Sequence, residues 1–177
     1  MKGKLIVIDG VDGSGKATQT QILYERLKKE NFKVCTTSFP NYESKTGEIV
    51  KMYLNGELGD VNTVNAYQGS ISYAMDRYVS FLNDEWGKLY RNGYIVICDR
   101  YTTSNLIHQG PKVSDLELLK YIEWLEDFEY RKLLIPMPDD ILFLDVPIDI
   151  SEALTRNRLN KFTKQEQKIF MKEIRNI

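Results

Sequence analysis

The residues with the clearest chemical meaning are 10–17, Gly-Val-Asp-Gly-Ser-Gly-Lys-Ala, between an apolar run at residues 5–8 and an amphipathic stretch that begins near Lys16. Glycines at the first, fourth and sixth positions let backbone N–H groups turn inward around a polyphosphate, whose β- and γ-phosphates Lys16 can reach. The pattern predicts a nucleotide-binding loop rather than a flexible turn between a strand and a helix. The expected contacts are Gly10, Asp12, Gly13, Ser14, Gly15, Lys16, Ala17 and Thr18.

One part of this loop differs from the usual pattern. The residue after the lysine is normally Ser or Thr, whose hydroxyl joins the shell of a bound Mg²⁺, but here it is Ala17, followed by Thr18. Asp12 lies within the loop and could approach Mg²⁺ directly or through water. The alternative for Asp12 is an Asx turn that only stabilises the glycine bend.

A second acidic and basic pair, Asp99 and Arg100, follows the apolar run 94–98. A carboxylate at the end of a buried strand suits a group that orients a metal, and an adjacent arginine can direct two N–H bonds to phosphate oxygens. The alternative is a salt-bridged strand end on the surface. Because the phosphate loop is already predicted, we favour the functional interpretation.

Tyr73 and Arg77 are four residues apart and therefore lie on one face of a predicted helix. An aromatic ring that stacks on a base, next to an arginine that binds its edge or phosphate, would suit a nucleotide acceptor. Cation–π packing between the two side chains themselves is an equally good explanation of the spacing.

Short β-branched runs alternate along the chain with long helical ones, a pattern typical of βαβ units with a parallel sheet. These elements must position the residues described above. Ligands of such α/β folds bind at the carboxyl ends of the strands. A capping box is predicted at Ser114 and Glu117. The predicted strands are 5–8, 33–37, 94–98 and 140–145, and the predicted helices are 19–30, 46–54, 64–90, 114–134, 149–159 and 161–177.

Length and composition predict one soluble domain over residues 1–177, since 42% hydrophobic and 28% charged residues are ordinary values for a globular chain. The net charge of −1 argues against a nucleic-acid binder. Cys35 and Cys98 lie in apolar runs, which favours buried free thiols in a reducing compartment. No membrane span or signal peptide is recognisable, so we expect a cytoplasmic protein.

From Lys4 to about Arg158 the chain resembles the thymidylate kinase family. The most specific similarity is Asp-Arg-Tyr at 99–101, after a buried strand, with Ser104 and Asn105 beyond it. The other similar blocks are residues 8–19, the Phe-Pro-Asn-Tyr at 39–42 with residues 47–54 beyond, and residues 73–77.

The resemblance implies a three-layer α/β/α fold of the P-loop type and transfer of the γ-phosphoryl of ATP to dTMP, with Mg²⁺. Lys16 would clamp the phosphates, Asp12 and Asp99 would lie near the metal and the acceptor phosphate, and Arg100 would bridge donor and acceptor. A candidate lid around 155–165 would contribute Arg156 and Arg158. The resemblance also implies a homodimer through the long helix.

For the acceptor, the resemblance implies that Tyr73 stacks on thymine and that Arg77 reaches its O4 edge. Phe39 and Tyr42 would line the site, while Ser104 and Asn105 would complete the base pocket. His108 stands where the family usually has Tyr or Phe near the deoxyribose, which leaves sugar selection open.

Three further departures are Ala17, Asn41 in place of a family arginine, and an end at Ile177, short of the family's usual length. The acidic lid residues and the last strand and helix are not recognisable after Arg158. Two alternatives therefore stay open: a kinase of another nucleoside monophosphate, and a nucleotide-binding homologue with impaired catalysis.

Overall fold

A parallel β-sheet organises the chain, of which the computed structural model describes residues 2–159. Its strands are β1 (Lys4–Gly10), β2 (Val34–Ser38), β3 (Ile95–Asp99) and β4 (Asp140–Leu144), in the order β2-β3-β1-β4. The two central strands are rich in buried β-branched and aliphatic residues, as expected for strands that are covered on both faces. The predicted α/β fold and all four predicted strands are confirmed.

The register of the strands brings the predicted site residues together. Val7 pairs with Cys98 and Ile8 with Asp99, so the carboxyl ends of β1 and β3 lie side by side at the same end of the sheet. Because both strands are parallel, the glycine-rich loop after β1 and Arg100 after β3 emerge next to each other.

Helices flank this sheet. Helix α1 packs against β1, β2 and β3, and α4 packs against β2 and β3. A 3₁₀ turn, Gly110–Lys112, follows α5, and a π-helical segment, Asp127–Lys132, follows α6. The helices are α1 (Lys16–Lys29), α2 (Lys45–Leu54), α3 (Ala66–Asn83), α4 (Glu85–Arg91), α5 (Thr102–Gln109), α6 (Asp115–Glu126) and α7 (Ile148–Leu159).

The predicted helix 64–90 is wrong as one element, because the chain breaks at Asp84 into α3 and α4. Asp84 adopts an extended conformation, and its carboxylate accepts a hydrogen bond of 2.5 Å from Ser80 Oγ. Gly87 then lies so close to α3 that an added Cβ would be 2.0 Å from the Phe81 carbonyl oxygen. Only glycine permits this close return of the chain.

The helix predicted over 114–134 is also divided, into α6 and the π-helical segment. Its predicted capping box is wrong: Ser114 is the N-cap, but its hydroxyl donates to the Glu117 carboxylate at 3.0 Å and caps no backbone N–H. A reciprocal capping box is present instead at Asn65 and Gln68, at the start of α3.

The main hydrophobic core lies between β1, β3 and α4, where Leu5, Val7 and Val96 pack with Trp86 and Tyr90. Phe39 belongs to the same core, with its ring 6.1 Å from that of Trp86. Cys98 is buried and Cys35 is half-buried, and both are free thiols, as predicted.

Strand β4 forms one edge of the described sheet and is the most exposed strand. Ile141, Leu142 and Phe143 have exposed fractions of 49%, 47% and 54%. The predicted helix 161–177 lies outside the described residues. Within residues 2–159, no helix has the length and apolar character needed to cross a membrane.

Candidate active site

The loop after β1 has the curvature that phosphate binding requires. Gly13 and Gly15 have φ values of +80° and +89°, a conformation that other residues seldom adopt. Gly15 is the N-cap of α1, so the first backbone N–H groups of that helix point back into the loop. The loop therefore presents a backbone surface suited to an anion.

Lys16 is held at the mouth of this loop. Its ammonium donates hydrogen bonds to the carbonyl oxygens of Gly10 at 3.0 Å and Val11 at 2.8 Å, and lies 3.9 Å from the Asp12 carboxylate. Burial and the nearby Arg100 guanidinium lower the pKa of Lys16, while Asp12, Asp99 and Asp9 oppose that shift. A bound phosphate would supply the negative charge that this buried cation favours.

Arg100 connects the loop to the end of β3. Its guanidinium makes a short ion pair with Asp12, and its Nη1 lies 3.2 Å from His108 Nε2. Its backbone N–H bonds to the carbonyl oxygen of Ile8 at 3.0 Å, and its φ is +67°, which is uncommon for a non-glycine residue. The geometry therefore brings Asp12, Lys16, Arg100 and His108 to one cleft.

His108 is half-buried on α5 beside this cationic group. Burial, then the Arg100 charge, lowers the pKa of His108 from its ordinary value of 6.5, with Lys16 acting in the same direction and Asp12 and Asp9 against it. The neutral imidazole is therefore the favoured form in the folded protein.

This shift predicts a pH dependence of stability. As the pH falls from about 7.5 to below 6.5, the unfolded chain takes up a proton at His108 that the folded protein resists, so the free energy of unfolding decreases until the lowered folded pKa is reached. We expect His108→Gln to lose less stability over this interval, measured by urea unfolding at both ends. An equal loss in both proteins would contradict the burial of a neutral histidine.

Asp9 is a site residue that the sequence reasoning missed. Its buried carboxylate accepts hydrogen bonds from Thr103 Oγ1 at 2.6 Å and Ser104 Oγ at 2.9 Å, and from the backbone N–H of Gly10 at 2.9 Å. It therefore fastens the start of α5 to the phosphate loop. Ser104, predicted in the base pocket, is used in this anchor. The sequence signal that could have identified Asp9 was a carboxylate at the end of an apolar strand.

Arg77 is buried in an ion pair with Glu129 of the π-helical segment. Its Nε and Nη2 donate to the two carboxylate oxygens at 2.7 and 2.5 Å, which leaves Nη1 outside the pair. Thr102 and Asn105 also donate to Glu129, at 3.1 and 3.4 Å. The ring that Arg77 faces is that of Tyr101, 5.9 Å from the guanidinium to the ring centre. Among the described residues, the alternative of cation–π packing on Tyr73 is therefore not observed.

The other predicted acceptor residues are not all at the cleft. Tyr73 is half-buried, with its ring edge-on to Tyr53 at 6.0 Å, and burial raises its pKa. Tyr42 is half-buried. Phe39 lies in the hydrophobic core, so the structure does not bring it to the cleft surface.

Asp76, on α3, fixes the segment that carries Tyr42. Its carboxylate accepts from the backbone N–H of Asn41 at 2.7 Å and from the hydroxyls of Ser44 and Thr46 at 2.9 and 2.8 Å. This buried carboxylate was not recognised as a positioning residue from the sequence, because its partners are 30 or more residues away in the chain.

Of the predicted lid arginines, Arg156 is exposed and pairs with Glu152 of the same helix at 3.1 Å. Arg158 lies at the end of α7, and its side chain is outside the described part of the chain, as is most of the candidate lid at 155–165. The first turns of α7 instead pack on the phosphate loop: a Cβ on Gly13 would be 2.3 Å from Thr155 Oγ1 and 2.4 Å from the Ser151 carbonyl oxygen.

Gly13→Ala should therefore destabilise the protein more than Gly15→Ala. Both glycines have positive φ, which costs alanine roughly 1–2 kcal/mol, but space is open around Gly15 within 4 Å. Overpacking against α7 should add about 1–3 kcal/mol at Gly13 only. Urea unfolding of the two variants measures the difference, and equal losses would mean that α7 does not press on the loop.

The chain is similar in sequence to known thymidylate kinases. The family model of thymidylate kinase matches residues 8–177. The thymidylate kinase of Mycobacterium tuberculosis is 30% identical over 158 residues, covering 89% of this chain and 72% of that protein. The thymidylate kinase of Rickettsia canadensis is 32% identical over 166 residues, covering 91% and 74%.

Solved structures share the fold. Thymidylate kinase from Candida albicans has a TM-score of 0.63 at 21% identity, covering 93% of this chain and 80% of that one. The enzyme from Ehrlichia chaffeensis has a TM-score of 0.61 at 22% identity, covering 93% and 83%. With its phosphate loop facing Arg100 and its match over residues 8–177, the chain belongs to the thymidylate kinase family.

Proposed function

We propose that this protein transfers the γ-phosphoryl group of ATP to dTMP, giving dTDP and ADP, within one nucleotide-kinase domain formed by residues 1–177. The observation that carries the proposal is the position of Arg100 directly across the glycine-rich loop, where its guanidinium contacts Asp12. One cation, Lys16, belongs to the loop that would hold the donor phosphates. The other, Arg100, reaches the same place from the end of the neighbouring strand.

In this reaction an oxygen of the dTMP phosphate attacks the γ-phosphorus as the bond to the β-phosphate oxygen breaks, and ADP leaves. The acceptor is already an anion at neutral pH, so its attack requires no general base. Catalysis then depends on alignment and on neutralising charge on the transferred group. Lys16 and the loop N–H groups would hold the donor, and Arg100 would draw both phosphates together.

For the acceptor, we propose that Tyr73 and Tyr42 line the site and that the free Nη1 of Arg77 binds the base. The Glu129 pair fixes the guanidinium plane through Nε and Nη2, so the remaining nitrogen has a defined direction. His108 adjoins Arg100 and would lie near the sugar, while Ser104 and Asn105 hold α5 in place behind the pocket.

Mg²⁺ fits the donor set of this cleft. Residues 2–159 contain no group of three or more His, Cys, Asp or Glu side chains arranged to hold a metal, but Mg²⁺ in phosphoryl-transfer sites commonly uses one or two carboxylates with water and substrate phosphates. Asp12 and Asp99 would be those carboxylates. The ion would neutralise charge on the β- and γ-phosphates.

The decisive experiment is an ADP-release assay with ATP, Mg²⁺ and each nucleoside monophosphate in turn. We expect dTMP to give the highest kcat/KM. A preference for UMP or a purine monophosphate would contradict the proposed acceptor. Calorimetric binding of ATP and dTMP with turnover at background, even with Mn²⁺, would instead identify a non-catalytic homologue.

Ala17→Ser tests the metal shell. Ala17 and Thr18 are both exposed at the start of α1, so the added hydroxyl needs no repacking. We expect kcat to rise and the Mg²⁺ concentration for half-maximal activity to fall, because a hydroxyl at this position joins the Mg²⁺ shell in related loops. Thr18→Ser is the matched control, and equal effects of both changes would count against a limiting metal shell.

We also propose a homodimer formed through α3 and the neighbouring α6. Ile71 on α3 and Leu116 and Leu119 on α6 are exposed large apolar residues, with exposed fractions of 44%, 91% and 72%. Light scattering measures the oligomeric state, and we expect a dimer for the protein and a monomer for Leu116→Lys.

We also propose a cytoplasmic location, which is supported by the two free cysteines.

A further inference from the structure

A cavity lies at the amino ends of the parallel strands, opposite the end that carries the glycine-rich loop. It is lined by Lys2, just before β1, and by Ile135 and its neighbours, which precede β4. Both segments are at the amino ends of the parallel strands, whereas the candidate active site is at the carboxyl ends. The cavity has a volume of about 640 Å³, within the range typical of small-molecule sites.

The lining combines aromatic rings with positive charge. Phe81, Tyr90 and Tyr130 supply the rings, and Lys2 and Arg91 supply the cations. The Arg91 guanidinium lies 4.3 Å from the centre of the Phe81 ring, and Lys2 Nζ lies 5.8 Å from that of Tyr90. The described residues that line the cavity include no carboxylate, although Asp139 acts on Lys2 from outside the lining and accepts a hydrogen bond from the Leu5 N–H at 2.7 Å. The lining itself therefore favours an anion.

A buried hydroxyl adds a specific hydrogen-bonding group. Tyr90 is 3% exposed, and among residues 2–159 its hydroxyl has no hydrogen-bond partner at normal distance. A longer contact with the Tyr90 oxygen raises the pKa of the Lys2 ammonium, and the Asp139 carboxylate acts in the same direction. That contact uses the oxygen as an acceptor, so the O–H of Tyr90 is still available as a donor. A buried donor of this kind is unfavourable unless a ligand or water pairs with it.

We propose that this cavity binds a small aromatic anion. The ring system would lie against Phe81, Tyr90 and Tyr130, and the acidic group would pair with Lys2 and Arg91 and accept a hydrogen bond from the Tyr90 hydroxyl. The apolar wall and the two cations are needed together, since a neutral aromatic would lose the charge pairing and a simple inorganic anion would lose the ring contacts.

The probe is 8-anilino-1-naphthalenesulfonate, an aromatic sulfonate whose fluorescence rises in apolar sites, titrated into the full chain. We expect Arg91→Gln and Lys2→Gln each to weaken its binding about tenfold, as for loss of one of two cations that face an anion. N-phenyl-1-naphthylamine, which lacks the sulfonate, should bind more weakly and respond to neither change. Circular dichroism and dTMP kinase activity confirm that each variant is folded.

Two controls separate this cavity from other sites. Lys16→Ala removes a cation of the candidate active site, and Phe143→Ser removes an exposed ring of β4; neither should change probe affinity. Loss of binding in either control, with Arg91→Gln and Lys2→Gln unaffected, would overturn the proposal. Equal affinity for the sulfonate and its neutral analogue would overturn it as well.

Discussion

Lys16→Ala is expected to lower kcat for dTMP phosphorylation about a thousandfold, the upper range for losing one preorganised electrostatic contact to the transition state. The Lys16 ammonium is almost fully buried at the mouth of the loop, between two backbone carbonyls and Asp12. No neighbouring side chain on the loop could replace this cation, because residues 10–15 are glycines, Val11, Asp12 and Ser14, none of which carries a positive charge. The ADP-release assay with dTMP measures the effect.

The matched control is Lys29→Ala, at the exposed far end of the same helix, which should leave kcat unchanged. Because Lys16 also bonds the loop carbonyls, thermal unfolding of Lys16→Ala must show a folded protein before the kinetics are interpreted. Turnover near that of the parent in a folded Lys16→Ala protein would mean that the loop does not hold the donor phosphates.

Glu129→Ala is expected to give the largest loss of stability. It leaves Arg77, which is 2% exposed, as an unpaired buried cation, and breaking such a pair costs about 3–5 kcal/mol. For a chain of this size the midpoint of thermal unfolding should fall by roughly 10 °C. Glu126→Ala, an exposed position one helical turn earlier, is the control. Calorimetry measures both.

The double variant Arg77→Met with Glu129→Met separates lost pairing from lost packing. Replacing both charges by apolar side chains is often neutral or stabilising, so the double variant should be more stable than Glu129→Ala. It should also lose dTMP affinity if Arg77 binds the base, with the KM for ATP unchanged. Equal stability of the single and double variants would contradict the ion pair as the main effect.

The sequence was sufficient for the four strands and for placing the loop and the Asp-Arg pair directly after two of them. It did not predict the strand order, and the pairing of β1 with β3 in the structure is what brings the loop and the pair side by side. The spacing of Tyr73 and Arg77 correctly predicted a shared helix. It could not predict that Arg77 is buried against Glu129, 52 residues away, because periodicity identifies a face and not its neighbour.

Other differences between the predicted and the observed structure come from tertiary contacts that local sequence patterns do not contain. The break at Asp84 depends on the close approach of Gly87 to the Phe81 carbonyl, a tertiary contact that helix propensity does not contain. Asp9, Asp76 and Glu129 are buried carboxylates whose partners come from other elements. Sequence patterns readily mark exposed charge or buried apolar runs, whereas a buried charge is marked only by the partner that satisfies it.

The contact between Arg100 and Asp12 has a consequence for how binding responds to ionic strength. Each group already neutralises the other across the cleft. A phosphate that binds Arg100 must therefore displace the Asp12 carboxylate and does not bind an unpaired cation. Fewer counterions are then released than the charge of the nucleotide suggests. The affinity for dTMP should accordingly fall only weakly between low and physiological salt, and Asp12→Asn should make that fall steeper.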